Sequence, residues 1–277
     1  MTKHSLTKQQ ITNYEKDGYI SPINIFSKEE VRKFNKEFNF IENKWPEQIN
    51  GLNRNNVHYY SKVFDKVVHN SKLLDIVEDL LGQNILVAGT CFFVKEPDRK
   101  GYISYHQDGK YAGWEPYNFL TVWLALTEVN EENGCMRMWP GTHKGNFKKH
   151  KDTFDKNNLL TRGQEIENIP INKTVPIILK PGQISIHHPL IVHGSGPNLS
   201  NKKRIGFAIQ SYISTEVYQT LGKAYVQQAR GKDAYNYHEH TLRPKKFMNQ
   251  DDLRLRDIAN KELQKILYNG ANKIGKY

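Results

Sequence analysis

The sequence predicts a mostly β protein with flanking helices. Between residue 85 and about residue 212, short β-rich runs separated by turn residues recur roughly every 8 to 15 positions. Little helical periodicity lies between these runs, which favours an antiparallel sandwich or barrel over a parallel α/β sheet. Helical patterns precede and follow this region, and no repeat or low-complexity linker divides the 277 residues. We therefore expect a single domain.

Helix signals dominate the start of the chain. Thr7 with Gln10 and Ser27 with Glu30 have capping-box spacings, which predict two helix starts. A further helix is predicted over 71–83, where apolar pairs recur at helical intervals before a terminating glycine.

The end of the chain also has a helical pattern, over residues 251–268, with Leu253, Ile258, Leu263 and Ile266 as the expected buried stripe. The predicted organisation has three parts within the single domain 1–277: a helical N-terminal layer (1–84), a β core (85–212) and a C-terminal helical extension (213–277).

Composition narrows the classes of partner. The net charge of +11 favours an anionic ligand, but the lysines and arginines are scattered, so nucleic acid is not expected. No apolar run approaches the roughly 20 residues needed to span a bilayer, and the first residues lack a secretion signal, so a cytoplasmic protein is expected. Cys91 and Cys135 lie in apolar, strand-like runs, where reduced, buried thiols are expected.

The stretch YHQDGKYAGW contains the first candidate ligands. His106 and Asp108 are two residues apart on a predicted strand, so both side chains are expected on one face. This spacing alone also arises by chance. A second histidine-rich segment strengthens the case, because His193 ends the strand-like run ISIHHPLIV.

Two histidines and one carboxylate form the facial triad of non-haem Fe(II) oxygenases, which leaves positions open for a 2-oxo acid and for O2. A turn-rich loop follows His193 and leads to a strand that begins at Arg204. A hairpin symmetric about residues 198–199 would place Arg204 across from His193. Its guanidinium would then pair with the distal carboxylate of 2-oxoglutarate.

Three segments together resemble the phytanoyl-CoA dioxygenase-like family of Fe(II)/2-oxoglutarate oxygenases. They are HQD, TVWLALTEVNEENGCMRMWPGTHKG (121–145) and HGSGPNLSNKKRIGFAI (193–209), and the similarity runs from about Gly18 to Asp233. The resemblance implies a double-stranded β-helix core of the jelly-roll, cupin-like type. It also implies iron held by His106, Asp108 and His193, and 2-oxoglutarate held by Arg204.

By position, the same resemblance places Ser195 and Trp123 in the co-substrate pocket. Related halogenases replace the carboxylate ligand by Gly or Ala, whereas Asp108 is present here, so hydroxylation is expected. The implied reaction uses O2, oxidatively decarboxylates 2-oxoglutarate to succinate and CO2, and adds a hydroxyl group to the substrate.

The loop after Asp108 is the first candidate for substrate binding, because loops on a rigid scaffold commonly bind ligands. The candidate substrate residues are Lys110, Tyr111, Trp114, Tyr117 and Asn118, with Arg162 and Gln164 from a later loop. A packed aromatic lid and solvated surface groups are the alternative interpretations.

This mixture of side chains suggests a small anionic or zwitterionic molecule. Within the family, the chain most resembles the bacterial branch that hydroxylates organophosphonates such as 2-aminoethylphosphonate at the carbon next to phosphorus. An amino acid, a betaine, a natural-product intermediate or an acyl-CoA are the other substrates considered. A non-catalytic metal-binding or scaffold protein on the same fold is the alternative from another class.

Overall fold

The computed structural model describes residues 5–275. In this range the α-helices are α1 (Lys8–Asp17), α2 (Lys28–Lys44), α3 (Lys62–Val68), α4 (Ser71–Leu81), α5 (Gly109–Ala112) and α6 (Gln250–Leu267). The strands are β1 (Tyr19–Asn24), β2 (Ile85–Lys95), β3 (Ile103–His106), β4 (Trp114–Glu115), β5 (Phe119–Ala125), β6 (Met136–Trp139), β7 (Lys151–Asp152), β8 (Gln164–Glu165), β9 (Val175–Pro176), β10 (Gln183–His187), β11 (Val192–Ser195), β12 (Arg204–Ser214), β13 (Tyr218–Gln219), β14 (Tyr225–Arg230) and β15 (Glu239–His240).

Two antiparallel sheets form the centre of the molecule. The large sheet has the strand order β1-β10-β5-β12-β2-β14-β15, in which only the β14–β15 pair is parallel, and the small sheet has the order β3-β11-β6-β9. The sheets pack face to face through an apolar cluster that joins Trp123 and Ala208 of the large sheet to Met136 and Met138 of the small one. This jelly-roll arrangement with flanking helices confirms the predicted fold class.

Helices α2, α3 and α4 cover the outer face of the large sheet. The main apolar core lies between them, and it contains Phe38 and Phe64 from the helices and Phe92 and Phe207 from the strands. Phe64 lies 4.9 Å from both Phe92 and Phe207 between ring centres. Aromatic pairs at this distance stabilise a core beyond their buried area, so the helical layer holds the large sheet rigidly from behind.

The predicted helix starts are confirmed. Both capping boxes form, since Thr7 accepts from the Gln10 backbone N–H and Ser27 accepts from that of Glu30, and each partner side chain returns a bond. Helix α4 ends at Gly82, which has a φ of +86° that favours glycine.

Three details differ from the sequence expectations. The N-terminal part is not only helical, because β1 joins the edge of the large sheet by pairing with β10. Similarly, β13, β14 and β15 precede α6 in the C-terminal part. On α6 the expected stripe is wrong at Ile258, which is 48% exposed, whereas Arg256, Ala259 and Asn260 are buried. Buried polar side chains therefore contribute to the packing of α6, and a pattern of apolar residues does not predict them.

Buried polar side chains fix α6 to the segment that precedes α3. Arg256 donates to the Gln48 side chain and to the Asn53 carbonyl, and its guanidinium lies 5.2 Å from the centre of the Tyr60 ring. Asn260 donates to the Leu52 carbonyl. These contacts hold α6 against the mouth of the β core.

Both cysteines are free and buried, as expected. Within residues 5–275, none of the helices combines the length and the apolar character needed to cross a lipid bilayer.

Candidate active site

Neighbouring strands of the small sheet bring two histidines together. His193 on β11 pairs with His106, the last residue of β3, and their ring centres are 4.3 Å apart. Asp108 does not lie on a strand, contrary to expectation. Its backbone is helical, with φ −55° and ψ −43°, at the start of α5. The chain therefore turns at Asp108, and ligand atoms of the three side chains all lie within 4.8 Å of one another.

Hydrogen bonds fix the imidazoles in one orientation. Nδ1 of His106 lies 2.9 Å from the Ser104 carbonyl oxygen, and Nδ1 of His193 lies 3.2 Å from that of Ile191. Because a carbonyl only accepts, each Nδ1 donates its proton to that carbonyl, which leaves Nε2 as the ring nitrogen that can bind a metal. These Nε2 atoms lie 3.1 and 3.8 Å from Oδ1 of Asp108. Three electron-pair donors converge, an arrangement that a cation between them stabilises.

The second carboxylate oxygen of Asp108 is held from behind. Thr121 Oγ1 lies 3.1 Å and His187 Nε2 lies 3.2 Å from Oδ2. Burial by itself raises the pKa of Asp108. Interactions with His193, His106 and His187 lower the pKa by more than burial raises it, so the pKa is well below its usual range. The carboxylate is therefore ionised, and outer contacts of this kind orient metal ligands. From the sequence, His187 and His188 adjoin the ligand strand, and either a hydrogen bond behind the ligands or simple packing is open to them; the structure shows the hydrogen bond for His187.

Arg204 reaches the same region from the other sheet. The predicted hairpin is wrong, because β11 belongs to the small sheet and β12 to the large sheet, where Arg204 pairs with Lys95. A turn-rich loop can connect facing sheets as readily as neighbouring strands, and the sequence does not distinguish these cases. The loop between Ser195 and Arg204 crosses between the sheets, so Arg204 faces His193 across the gap between them.

A cavity between the sheets, here called the inner cavity, connects these groups. Its lining includes His106, Asp108, Thr121, Trp123, His187, His193, Ser195 and Arg204. The structure therefore brings together the three predicted metal ligands and the three residues predicted to bind the co-substrate.

The Arg204 guanidinium is 1% exposed and lies 5.2 Å from the centre of the Trp123 ring. It donates to the Gly134 carbonyl at 3.1 Å, but its Nε has no partner, and no carboxylate pairs with it within residues 5–275. Burial lowers its pKa to about 10, so it stays charged at neutral pH. A buried cation without a counter-ion is costly, and the arrangement fits a ligand that brings a carboxylate.

Lys95 carries a buried amine beside Arg204 that sequence reasoning missed. Its Nζ donates to Ser195 Oγ and to the carbonyl oxygens of Gly134 and Gly196. Burial, followed by the charge of Arg204, lowers its pKa to about 6. Lys95 thus fixes the Ser195 hydroxyl beside Arg204. The available signal was a lysine that ends an otherwise apolar strand.

A second cavity, here called the outer cavity, lies on the other side of His106 and Asp108, and its volume is about 140 Å³. Helix α6 forms its far wall with Ala259, Leu263, Ile266 and Leu267. Contact between this helix and the site could not be predicted from the sequence, because a buried stripe does not specify which surface covers it.

The outer cavity also contains three of the predicted substrate residues, namely Tyr111, Trp114 and Gln164. Tyr111 packs beneath the Arg162 guanidinium, which lies 5.1 Å from its ring centre. Arg162 itself forms an ion pair with Asp152 and lines neither cavity.

The remaining three predicted substrate residues also lie outside both cavities. Lys110 and Tyr117 pack on the ring of Phe147, at 5.4 and 5.6 Å. Asn118 donates to Glu216 at 2.7 Å. These side chains follow the loop surface, whereas Tyr111 and Ala112 of α5 line the outer cavity.

Comparison with known proteins places the chain in a family. The model of the phytanoyl-CoA dioxygenase (PhyH) family matches residues 14–206. A probable alpha-ketoglutarate-dependent hypophosphite dioxygenase of Stutzerimonas stutzeri is 28% identical over 234 residues, which cover 77% of this chain and 81% of that protein. Human peroxisomal phytanoyl-CoA dioxygenase is 26% identical over 217 residues, which cover 70% of this chain and 64% of that enzyme.

Among solved structures, the apo form of the non-heme monooxygenase ThoJ superimposes with a TM-score of 0.82 at 28% identity, covering 92% of this chain and 96% of ThoJ. The likeness confirms the double-stranded β-helix core and extends to the flanking helices. The matched family model includes the whole His-Asp-His cluster and Arg204. This chain therefore belongs to the phytanoyl-CoA dioxygenase family and is an Fe(II)- and 2-oxoglutarate-dependent dioxygenase.

Proposed function

We propose that this dioxygenase hydroxylates a C–H bond of a small organophosphonate, with 2-aminoethylphosphonate, attacked at the carbon next to phosphorus, as the first compound to test. One observation carries the proposal. Two cavities meet at His106 and Asp108, and only the inner one contains the Arg204 guanidinium, which has no carboxylate partner within residues 5–275. The inner cavity suits the co-substrate, and the outer cavity suits the molecule that is hydroxylated.

In this proposal His106, Asp108 and His193 hold Fe(II). Two neutral imidazoles and one carboxylate are the facial donor set of non-haem iron oxygenases, and their donor atoms already converge. When bound, the iron supplies O2 activation coupled to oxidative decarboxylation of 2-oxoglutarate to succinate and CO2. Thr121 and His187 keep the carboxylate in place.

Arg204 binds the distal carboxylate of 2-oxoglutarate. Its planar fork matches a carboxylate in two hydrogen bonds, and its Nε is free to donate. Trp123 forms the wall beside the guanidinium, and the Ser195 hydroxyl, fixed by Lys95, lies next to the same pocket. The buried position excludes water, which strengthens the ion pair.

The size of the outer cavity favours a small substrate. A volume of about 140 Å³ is comparable to the roughly 150 Å³ cavity that encloses benzene in an engineered protein. An acyl-CoA would not be enclosed in this space. Support for a phosphorus compound comes from the hypophosphite dioxygenase relative and from Arg54 and Lys223, whose side chains line the outer cavity and favour an anionic group.

The apolar wall formed by α6 favours a second candidate class. Leu263, Ile266 and Leu267 offer no hydrogen bonds, so an amino acid or natural-product intermediate with an apolar part fits this wall better than a purely polar molecule.

The test is succinate formation by the purified protein with Fe(II), 2-oxoglutarate and O2, with and without each compound of a panel. The panel contains 2-aminoethylphosphonate, alkylphosphonates, amino acids, betaines and acyl-CoAs. We expect a phosphonate to stimulate succinate release and to gain one oxygen atom, measured by mass spectrometry. Stimulation by other classes alone would overturn the phosphonate proposal, and no 2-oxoglutarate consumption under any condition would contradict the enzyme class.

A further inference from the structure

The two cavities share few side chains. Those that line both are Phe93, His106, Asp108, Leu160 and Gln210. Two of them are apolar and two are proposed iron ligands. Gln210 is therefore the one further polar side chain, within the described residues, at the junction where a substrate would meet the iron.

The backbone of β12 directs Gln210 towards this junction. Along the strand, Ile209 and Tyr212 both belong to the core on the helix side of the sheet. In a regular strand, residues that face the same side are separated by one residue, but here two residues lie between them. The register of the pairing with β2 and with β5 also shifts at this point. This β-bulge turns both Gln210 and Ser211 towards the outer cavity. Bulges beside active sites commonly redirect side chains in this way.

The bulge is also tied to the iron site. Thr121 Oγ1 lies 3.0 Å from the Gln210 carbonyl oxygen and 3.1 Å from Oδ2 of Asp108. This hydroxyl donates to one of the two oxygens at a time, and its contact with both places the Gln210 backbone next to the carboxylate ligand. A substrate group held by Gln210 would be fixed relative to the iron as well.

The Gln210 side-chain amide is half-buried and makes no hydrogen bond to another residue in the range 5–275. Other amides of the outer cavity are engaged within the protein. The Gln164 side chain accepts from the Arg162 backbone N–H, and that of Gln219 donates to the Ala112 carbonyl. The amide of Gln210 is therefore free to donate to, and accept from, a ligand in the cavity.

We propose that Gln210 binds the substrate and selects the C–H bond that is hydroxylated. Its uncharged amide offers two N–H donors and a carbonyl acceptor, which suits a phosphonate oxygen, hydroxyl or amide next to the reacting carbon. The inference rests on the proposed function, because it requires the outer cavity to be the substrate site. A held polar group at the junction restricts rotation of the substrate, and orientation of this kind controls both rate and site of attack.

The first test is a crystal structure of the protein with Mn(II) in place of iron, 2-oxoglutarate and 2-aminoethylphosphonate. Support for the inference is a hydrogen bond from the Gln210 amide to the added compound or to an ordered water that faces the metal. An amide turned away into a hydrogen bond with the protein would overturn the inference, whether or not the compound is bound.

The second test compares Gln210→Leu with Gln264→Leu, a half-buried glutamine on α6 that lines neither cavity. For whichever panel compound stimulates the wild type, Gln210→Leu should raise the KM about 3- to 10-fold, the effect of one neutral hydrogen bond. It should also lower the ratio of hydroxylated product to succinate, whereas Gln264→Leu should keep both the KM and this ratio at their wild-type values. Unchanged KM and unchanged coupling would refute the role of Gln210, whereas loss of 2-oxoglutarate consumption in the wild type would refute the proposed function instead.

Discussion

The inner and outer cavities are built from different parts of the fold. The inner cavity lies between two sheets, and Trp123, His193 and Arg204 reach it from regular strands. The outer cavity is closed by α5, by the β12 bulge and by α6, which lies wholly beyond the family match at residue 206. Under the proposed function, the strands carry the iron and 2-oxoglutarate chemistry, and we expect α6 and the bulge to determine which substrate fits.

The largest effect is expected at the boundary of the cavities. Asp108→Ala removes the single anionic ligand of the triad, so hydroxylation should fall by more than about 100-fold, beyond the 10- to 100-fold typical of outer-shell changes at metal sites. Product formation measured by mass spectrometry is the readout, and thermal melting checks that the variant folds. Retained activity would show that the carboxylate ligand is elsewhere.

Arg204→Lys tests the inner cavity alone. Lysine keeps the charge but loses the planar fork, and a hydrogen bond to a charged group contributes roughly 1.5 to 3 kcal/mol. The KM for 2-oxoglutarate should therefore rise on the order of 10- to 100-fold while iron remains bound. The control is Arg254→Lys on the exposed face of α6. An unchanged KM would remove Arg204 from its role.

Lys95→Met tests the state of the buried amine beside the co-substrate pocket, through the pH dependence of the free energy of unfolding. The folded-state pKa of Lys95 is lowered from 10.5 to about 6, so between these values the unfolded chain binds the extra proton. Lowering the pH from 10 towards 6 therefore favours unfolding of the wild type. The variant should show a flatter dependence of unfolding free energy on pH over this window, whereas exposed Lys202→Met should follow the wild type. Equal slopes would mean that the surrounding carbonyls keep Lys95 charged.

The smallest effect is expected from the far wall of the outer cavity. Leu263→Ala removes three carbon atoms from the wall beside α6. Bulkier panel compounds should therefore gain about 10-fold in kcat/KM relative to small ones, the lower end of the roughly 10- to 200-fold that one methylene group changes in an apolar pocket. Ile258→Ala, on the exposed side of the same helix, is the control. An unaltered substrate range would show that α6 does not contact the substrate.

The difference between the strand-built inner cavity and the outer cavity closed by loops and a helix also explains how much could be predicted from the sequence. Short β-rich runs bounded by turn residues predicted the strands, because these signals are local. The spacing of His106 and Asp108 is local as well, whereas His193, far along the chain, joined the predicted cluster through the second histidine-rich segment and the resemblance to the family. The partner of Arg204 could not be predicted correctly, since strand pairing across two facing sheets depends on tertiary packing. Arg204 and Gln210 are six positions apart on one strand, and residues an even number of positions apart face the same side. Once Arg204 is assigned to the site, this spacing is a signal that sequence reasoning could have used for Gln210.

Residues of the outer cavity were harder to predict because loop and helix surfaces have no such periodic signal. Among the seven candidate substrate residues, Tyr111, Trp114 and Gln164 line that cavity. Lys110 packs on Phe147 instead. Lys110 and Tyr111 are adjacent on the single turn of α5, so their side chains point in different directions.

The most direct test of the central claim is an anaerobic titration of Fe(II) into the protein with 2-oxoglutarate, followed by the visible charge-transfer absorption of a 2-oxo acid chelated to ferrous iron. We predict saturation at one iron per chain in the wild type and loss of this absorption in the His106→Ala/His193→Ala double variant. Absorption of equal strength in the double variant, or none in the wild type, would contradict the assignment of this site.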